Sequence, residues 1–273
     1  MPHGESWFTL FFRGTFLWDS VVALVMAING VTGEPDSLLA DETGYVGHVF
    51  SALFILLVLA TFAFVSFQKV KATQDAIVPE AKLTIRTFVE LLVGAAYSLM
   101  SDIMGPKPAR FFLPLIGTAA FFILFSNVLG LVPGFTPPTD NLNTTLALAL
   151  VVFVATHYYG IKENGFNHVK HLFGPVVFDP KRPITILAIP LMLLMFFIEV
   201  ISHIARPISL SIRLMANMVA DHLVVGAFLS IIAFVLPVPV MVLGTLVVVV
   251  QTLVFCVLST VYIGLAIQHD ESH

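Results

Sequence analysis

Four charged residues stand in a long segment that holds no others. Between positions 183 and 268, the Asp, Glu, Lys and Arg residues are Glu199, Arg206, Arg213 and Asp221. On a helix, positions seven apart fall within about 20° of one another, so Glu199, Arg206 and Arg213 share a face. Ser202, His203 and Ser209 lie on or beside that stripe, and Asn217 extends it by one turn. Together they form a polar ribbon along an otherwise apolar helix. His222 lies nine residues beyond Arg213, about 180° around a regular helix. One of the two can face a partner while the other lines a separate aqueous cavity.

Arg213 sets the sharpest constraint. Placing an arginine at mid-bilayer costs about 2.5–3.5 kcal/mol on insertion scales. Its guanidinium keeps its proton, so it cannot escape the cost by neutralising. It therefore needs an anion. Glu199 is roughly 20 Å away along the same helix, and Asp221 points elsewhere. The segments 45–68, 111–132 and 142–161 carry no carboxylate. The counter-ion is expected on another polypeptide.

The elements that must hold these groups are membrane helices. The chain is 58% hydrophobic and 11% charged, against roughly 25% charged for ordinary globular domains. The expected class is an all-α integral membrane protein. Residues 7–29 are interrupted by Arg13, Gly14 and Asp19 and read as an interfacial segment, followed by a polar loop at 30–44. Residues 45–68, 111–132 and 142–161 are clear spans by length and composition. Residues 86–104 carry Arg86, Glu90 and Asp102 and read as an amphipathic in-plane or re-entrant helix. Residues 184–236 exceed one perpendicular span and must tilt or bend, with Pro207 permitting a kink. "LPVPV" at 236–240 reads as the turn into a last span at 240–268. The count is about five transmembrane helices. The division is 1–44 as N-terminal segment and outer loop, and 45–273 as membrane domain, with 184–268 a tilted C-terminal hairpin.

Lys69, Lys71, Lys107, Arg110, Lys162, Lys170, Lys181 and Arg182 gather in loops on one side, while 30–44 and 133–141 hold no Lys or Arg. The positive-inside rule turns the basic loops to the cytoplasm. The N-terminus lacks a basic region and a cleavage site, so no removable signal is expected. A net charge of −4 without any basic run excludes nucleic acid as a partner. The single Cys256 builds no metal or disulfide framework. His157, His168 and His171 invite a metal reading, and His168 and His171 have i, i+3 spacing, but no third ligand stands at a fixed distance, so the expected metal count is none. No Gly-rich phosphate loop is present, and no cofactor is expected.

"ARPISLSIRLMANMVADHL" and "VVVVQTLVFCVLSTVYIGLAI", with "FFILFSNVLGLVPGFTPPTDNLNTTLALAL" upstream, resemble subunit a of the rotary F-type ATP synthases. The order of spans agrees from residue 45 to the C-terminus. The resemblance implies a stator subunit beside a ring of c subunits, whose mid-membrane carboxylates are the anions that Arg213 lacks. It implies two offset half-channels through which protons reach and leave the ring. Arg213 matches the essential arginine of that family, and Asn217 and Gln251 match its neighbours at the ring interface. Glu199 and Ser209 match polar positions of the access path, to which Ser202, His203, Asp221 and Asn143 are added as candidates. Asp140, Asn141 and Asn143 are expected to keep the mouth of the outer half-channel wet.

Two departures stand out. Met215-Ala216 replaces the family's usual Phe-Gly. His222 stands where many bacterial members have Glu, and Gly244 where they have His. With an unperturbed pKa of about 6.5, His222 is expected to titrate in the entry half-channel. The resemblance further implies the c-subunit ring, the subunit b peripheral stalk, other ATP synthase subunits and the lipid bilayer as partners. It places the chain, without an ATP site of its own, in a bacterial inner membrane, with an organellar inner membrane as the alternative. A rival class, an autonomous secondary transporter or channel, expects internal repeats with paired broken helices, and none is visible. An intramembrane enzyme expects a nucleophile–base pair or two metal-binding carboxylates within the spans, and neither is found.

Overall fold

A computed structural model of the chain describes Ser20 and residues 42–72, 84–132, 134–164, 184–231 and 237–267. The helices, numbered in chain order, are α1 (Glu42–Ala72), α2 (Ile85–Met104), α3 (Pro106–Gly130), α4 (Leu142–Asn164), α5 (Ile184–Ile231) and α6 (Pro237–Ile267). A short 3-10 turn, Pro138–Asp140, lies between α3 and α4. The chain is all-α among the described residues. The interfacial reading of 7–29 and the basic loop beyond α4 lie outside them.

Among the described residues, six helices are long and apolar enough to cross a membrane: His48–Gln68, Ile85–Met104, Pro106–Gly130, Leu142–Glu163, Leu193–Phe228 and Val238–Ile267. The sequence reading counted five and set 86–104 apart because of its charges. Two of those charges neutralise one another. Arg86 Nε donates to Glu90 Oε1 at 2.7 Å, one turn on, and the arginine is buried. The helix packs against α1, α3 and α6 as a member of the bundle.

Two helix starts differ from the sequence reading. The span was read as starting at 111, yet α3 begins at Pro106. Proline is suited to a first turn, where its missing N–H has no partner to lose. The break is confined to Gly105, whose φ of +85° is open to glycine and strained for other residues. Likewise α6 begins at Pro237, so most of "LPVPV" belongs to its first turn.

The 48 residues of α5 form one continuous helix through Pro207, about 72 Å long. That is more than twice the roughly 30 Å hydrocarbon thickness of a bilayer. The core lies where α3, α4, α5 and α6 meet, around Ile116, Ile123, Leu210, Leu214, Phe255 and Ile263. Outside it, Leu57, Phe64, Leu91, Val154, Ile201, Val242, Leu243 and Leu246 stand more than 60% exposed. This is the inside-out surface of a chain that meets lipid.

Candidate functional site

Arg213 projects from the exposed face of α5, together with Ser209, Ile212 and Ala216. Among the described residues, no carboxylate lies within ion-pair distance of it. One turn on, Asn217 Nδ2 donates to Gln251 Oε1 of α6 at 2.6 Å, and Gln251 is buried. This bond ties the two long helices together beside the arginine.

His222 faces inward, away from Arg213. Its Nε2 is 3.2 Å from the Gly130 carbonyl at the end of α3. A carbonyl can only accept, so Nε2 carries the proton of this bond. Gly130 is small by necessity. A Cβ there would stand 3.0 Å from His222 Nε2 and from Pro137 Cγ, and 3.2 Å from Met218 Cε. Gly244 makes room in the same way for Asp221, since a Cβ would lie 3.0 Å from both carboxylate oxygens.

The 3-10 turn closes over this cluster and touches α1, α3, α4 and α5. Thr139 Oγ1 donates to Asn127 Oδ1 at 2.7 Å, with both side chains buried. Asn127 Nδ2 and Ser126 Oγ are buried without a protein partner among the described residues, a polar lining that water can satisfy. Asn141 Nδ2 lies 3.4 Å from His48 Nδ1 of α1. The Asn143 amide donates to Asn141 Oδ1 at 2.9 Å, while its own side chain is exposed. Burial pushes the Asp140 carboxyl up to about 6, with the nearby His222 charge pulling the other way. Asp140 and His222 are thus close enough for their charges to interact.

Near the other end of α5, His203 Nδ1 lies 2.9 Å from the Glu199 carbonyl and 3.4 Å from its Oε1. Arg206 packs over the Tyr262 ring of α6, 5.4 Å from the centroid. Ser202 is half-buried beside them. The shared face of Glu199, Arg206 and Arg213 is therefore divided. Arg206 turns to an aromatic partner inside the chain, and Arg213 turns outward.

A sequence profile of the ATP synthase A chain matches residues 49–264. The chain belongs to the ATP synthase A chain family. It is 46% identical over 225 residues to ATP synthase subunit a of Sorangium cellulosum (strain So ce56), covering 82% of this chain and 84% of that one. It is 40% identical over 224 residues to the ATP synthase subunit a of Geobacter sulfurreducens, covering 82% and 86%. The Geotalea uraniireducens subunit a is 41% identical over 224 residues, again covering 82% and 86%. With six long apolar helices among its described residues, this family member is an integral membrane protein and a stator subunit of the ATP synthase proton channel.

The structure brings Asn217 to Gln251, Asp221 to Gly244 and Glu199 to His203, and holds Arg213 and His222 on different surroundings. Reasoning from sequence missed the depth of Asp140 and the hydrogen bond between Asn127 and Thr139. It weighed His157 only as a metal ligand and did not foresee that its ring packs against His203. The signal for Asp140 was a lone carboxylate at the end of a Pro-rich turn that had to fold back between two spans.

Proposed function

We propose that Arg213 is the fixed positive charge facing the carboxylates of a c-subunit ring, and that this couples proton flow to ring rotation and ATP synthesis. The observation that carries it is an arginine on the open face of α5 with no acid of its own chain beside it, among the described residues. A ring carboxylate approaching this guanidinium ionises, because an opposite charge lowers its pKa. It takes up a proton again once it has moved on. The arginine also repels protons, which keeps two half-channels from joining. Ser209 and Ala216, small and exposed on the same face, allow a neighbouring helix to approach closely.

The outer half-channel runs past Asp140, His222, Asn127 and Thr139, with Asp221, Asn141 and Asn143 toward its mouth. The inner one starts at Glu199, Ser202 and His203. Each proton crossing is driven by about 2.3 kcal/mol per 100 mV. The further partners are the subunit b peripheral stalk and the remaining subunits, and the location is a bacterial inner membrane. The test is ATP-driven acidification of inverted vesicles by an assembled Arg213→Ala complex. Pumping falls to background while ring and stator still copurify; pumping at the native rate overturns the proposal.

A further inference from the structure

A groove of about 370 Å³ opens on the outside of the bundle, along the seam between α3 and α4. Leu115 of α3 and Leu150, Val151, Val154, Ala155 and Tyr158 of α4 line it. Both helices pack on α6. Toward each other they are held by rings at one end. Tyr159 stands against Phe111 and Phe112, with centroids 5.4 and 4.9 Å apart. These rings set a spacing that the shorter side chains beyond them do not fill.

The ringed end of the groove is also its charged end. On α4, Leu150, Val154, Tyr158 and Lys162 follow one another at four-residue steps and share a face. On α3, Lys107, Phe111 and Leu115 do the same. Lys162 Nζ lies over the Tyr159 ring, 5.8 Å from its centroid, which carries its charge toward α3. Lys107, Arg110 and Lys162 are exposed at this mouth, and so is Glu163, which leaves the balance positive. The depth fits one leaflet. From Leu150 to Tyr158 the groove runs about 12 Å along α4, against about 15 Å for half of the hydrocarbon core. Lys162 stands about 6 Å further on, where headgroups begin. The basic loops mark that side as cytoplasmic.

We propose that this groove is a binding site for an anionic phospholipid of the cytoplasmic leaflet, with one acyl chain laid along α4 and the phosphate between Lys107 and Lys162. An acyl chain is narrow and flexible, and it meets only apolar lining along the groove. The anionic head meets the lysines, in the way that basic pockets between membrane helices hold acidic lipid heads. Tyr158, exposed beside the mouth, has the amphipathic ring that settles at headgroup level. A helix of another subunit fits less well. Membrane helices approach one another over small residues, and Ala155 is the one small residue in this lining. The site is separate from the Arg213 face and does not depend on the role proposed for that residue.

The test places the assembled complex in phosphatidylcholine vesicles with a trace of phospholipid bearing a photoreactive acyl chain, either phosphatidylglycerol or phosphatidylcholine. Cross-links are mapped by mass spectrometry of the peptides. The phosphatidylglycerol probe labels Val151 and Val154 in preference to the phosphatidylcholine probe. Lys107→Gln and Lys162→Gln each lower that labelling about fivefold, and Val154→Trp, which fills the groove, abolishes it. Phe64 of α1, exposed elsewhere on the surface, takes both probes alike. Equal labelling of the groove by the two probes, unchanged in the lysine variants, overturns the proposal in favour of ordinary bulk lipid. A groove that takes no lipid, with its peptides cross-linked to another subunit, overturns it in favour of a protein helix. Should the variants fail to assemble, competition on the native complex decides. Unlabelled phosphatidylglycerol must displace the probe where phosphatidylcholine does not, and equal displacement overturns the site.

Discussion

At the scale of single residues, burial and charge separate the two sides of α5. Asp140 makes the clearest case. Its carboxyl is raised from 3.8 to about 6 by burial, so the folded chain binds that proton more tightly than the unfolded chain does. Its contribution therefore favours the fold at low pH and is lost as pH rises from about 4 through about 6. The cost to the ionised form is on the order of 3 kcal/mol. Asp140→Asn should flatten the dependence of thermal stability on pH between 4 and 7 in detergent, and slow proton entry from the outer side. An unchanged melting profile over that range counts against the buried carboxyl. Gln251 makes a second case. Gln251→Leu leaves Asn217 Nδ2 without its 2.6 Å acceptor in a largely buried site, a loss of about 1–3 kcal/mol. A lowered melting temperature of the complex is the expected reading. Arg213, Glu199 and His222 were legible as sequence because each is a polar residue in an apolar run. Asp140 was legible only as a mouth residue, because nothing in "PPTDN" states that the turn folds inward.

Among the elements, the joints between helices decide what the site contains. The end of α3 and the 3-10 turn meet α5 so closely that position 130 has no space for a side chain. Gly130→Val should push His222 and Met218 aside, break the contact with the Gly130 carbonyl, and cut proton flux at least several-fold without changing the composition of the complex. Flux measured in vesicles, against copurification of the ring, distinguishes this from failed assembly. The periodicity of α5 was plain in sequence because its charges repeat at seven residues. The pairing of Arg86 with Glu90 on α2 was hidden because composition counts two charges, whereas the folded helix joins them as one ion pair. The start of α3 was hidden for a related reason: proline breaks a helix interior and begins a helix equally well, and position alone separates the two.

Across the whole molecule, the surface is what a bilayer requires. Leu246 is 61% exposed on α6, within a span of mean hydropathy 2.6. Leu246→Lys should cost about 2.5–3.5 kcal/mol of insertion and shift tagged chain out of the membrane fraction, whereas Leu246→Phe should not. Membrane character was legible at once from composition, because a lipid-facing helix needs no polar side. How the six helices pack was not legible, because a uniformly apolar helix carries no stripe to say which side meets protein.

The unanswered charge on α5 also bears on the life of the chain before assembly. A lone copy in lipid must either pull water and headgroups toward Arg213 or slide the helix out of position, and both deform the membrane around it. Docking to the acidic neighbour proposed for Arg213 would end that distortion. The same guanidinium thus makes an orphaned subunit costly to keep, and gives the cell a physical signal by which unassembled copies can be told from finished ones.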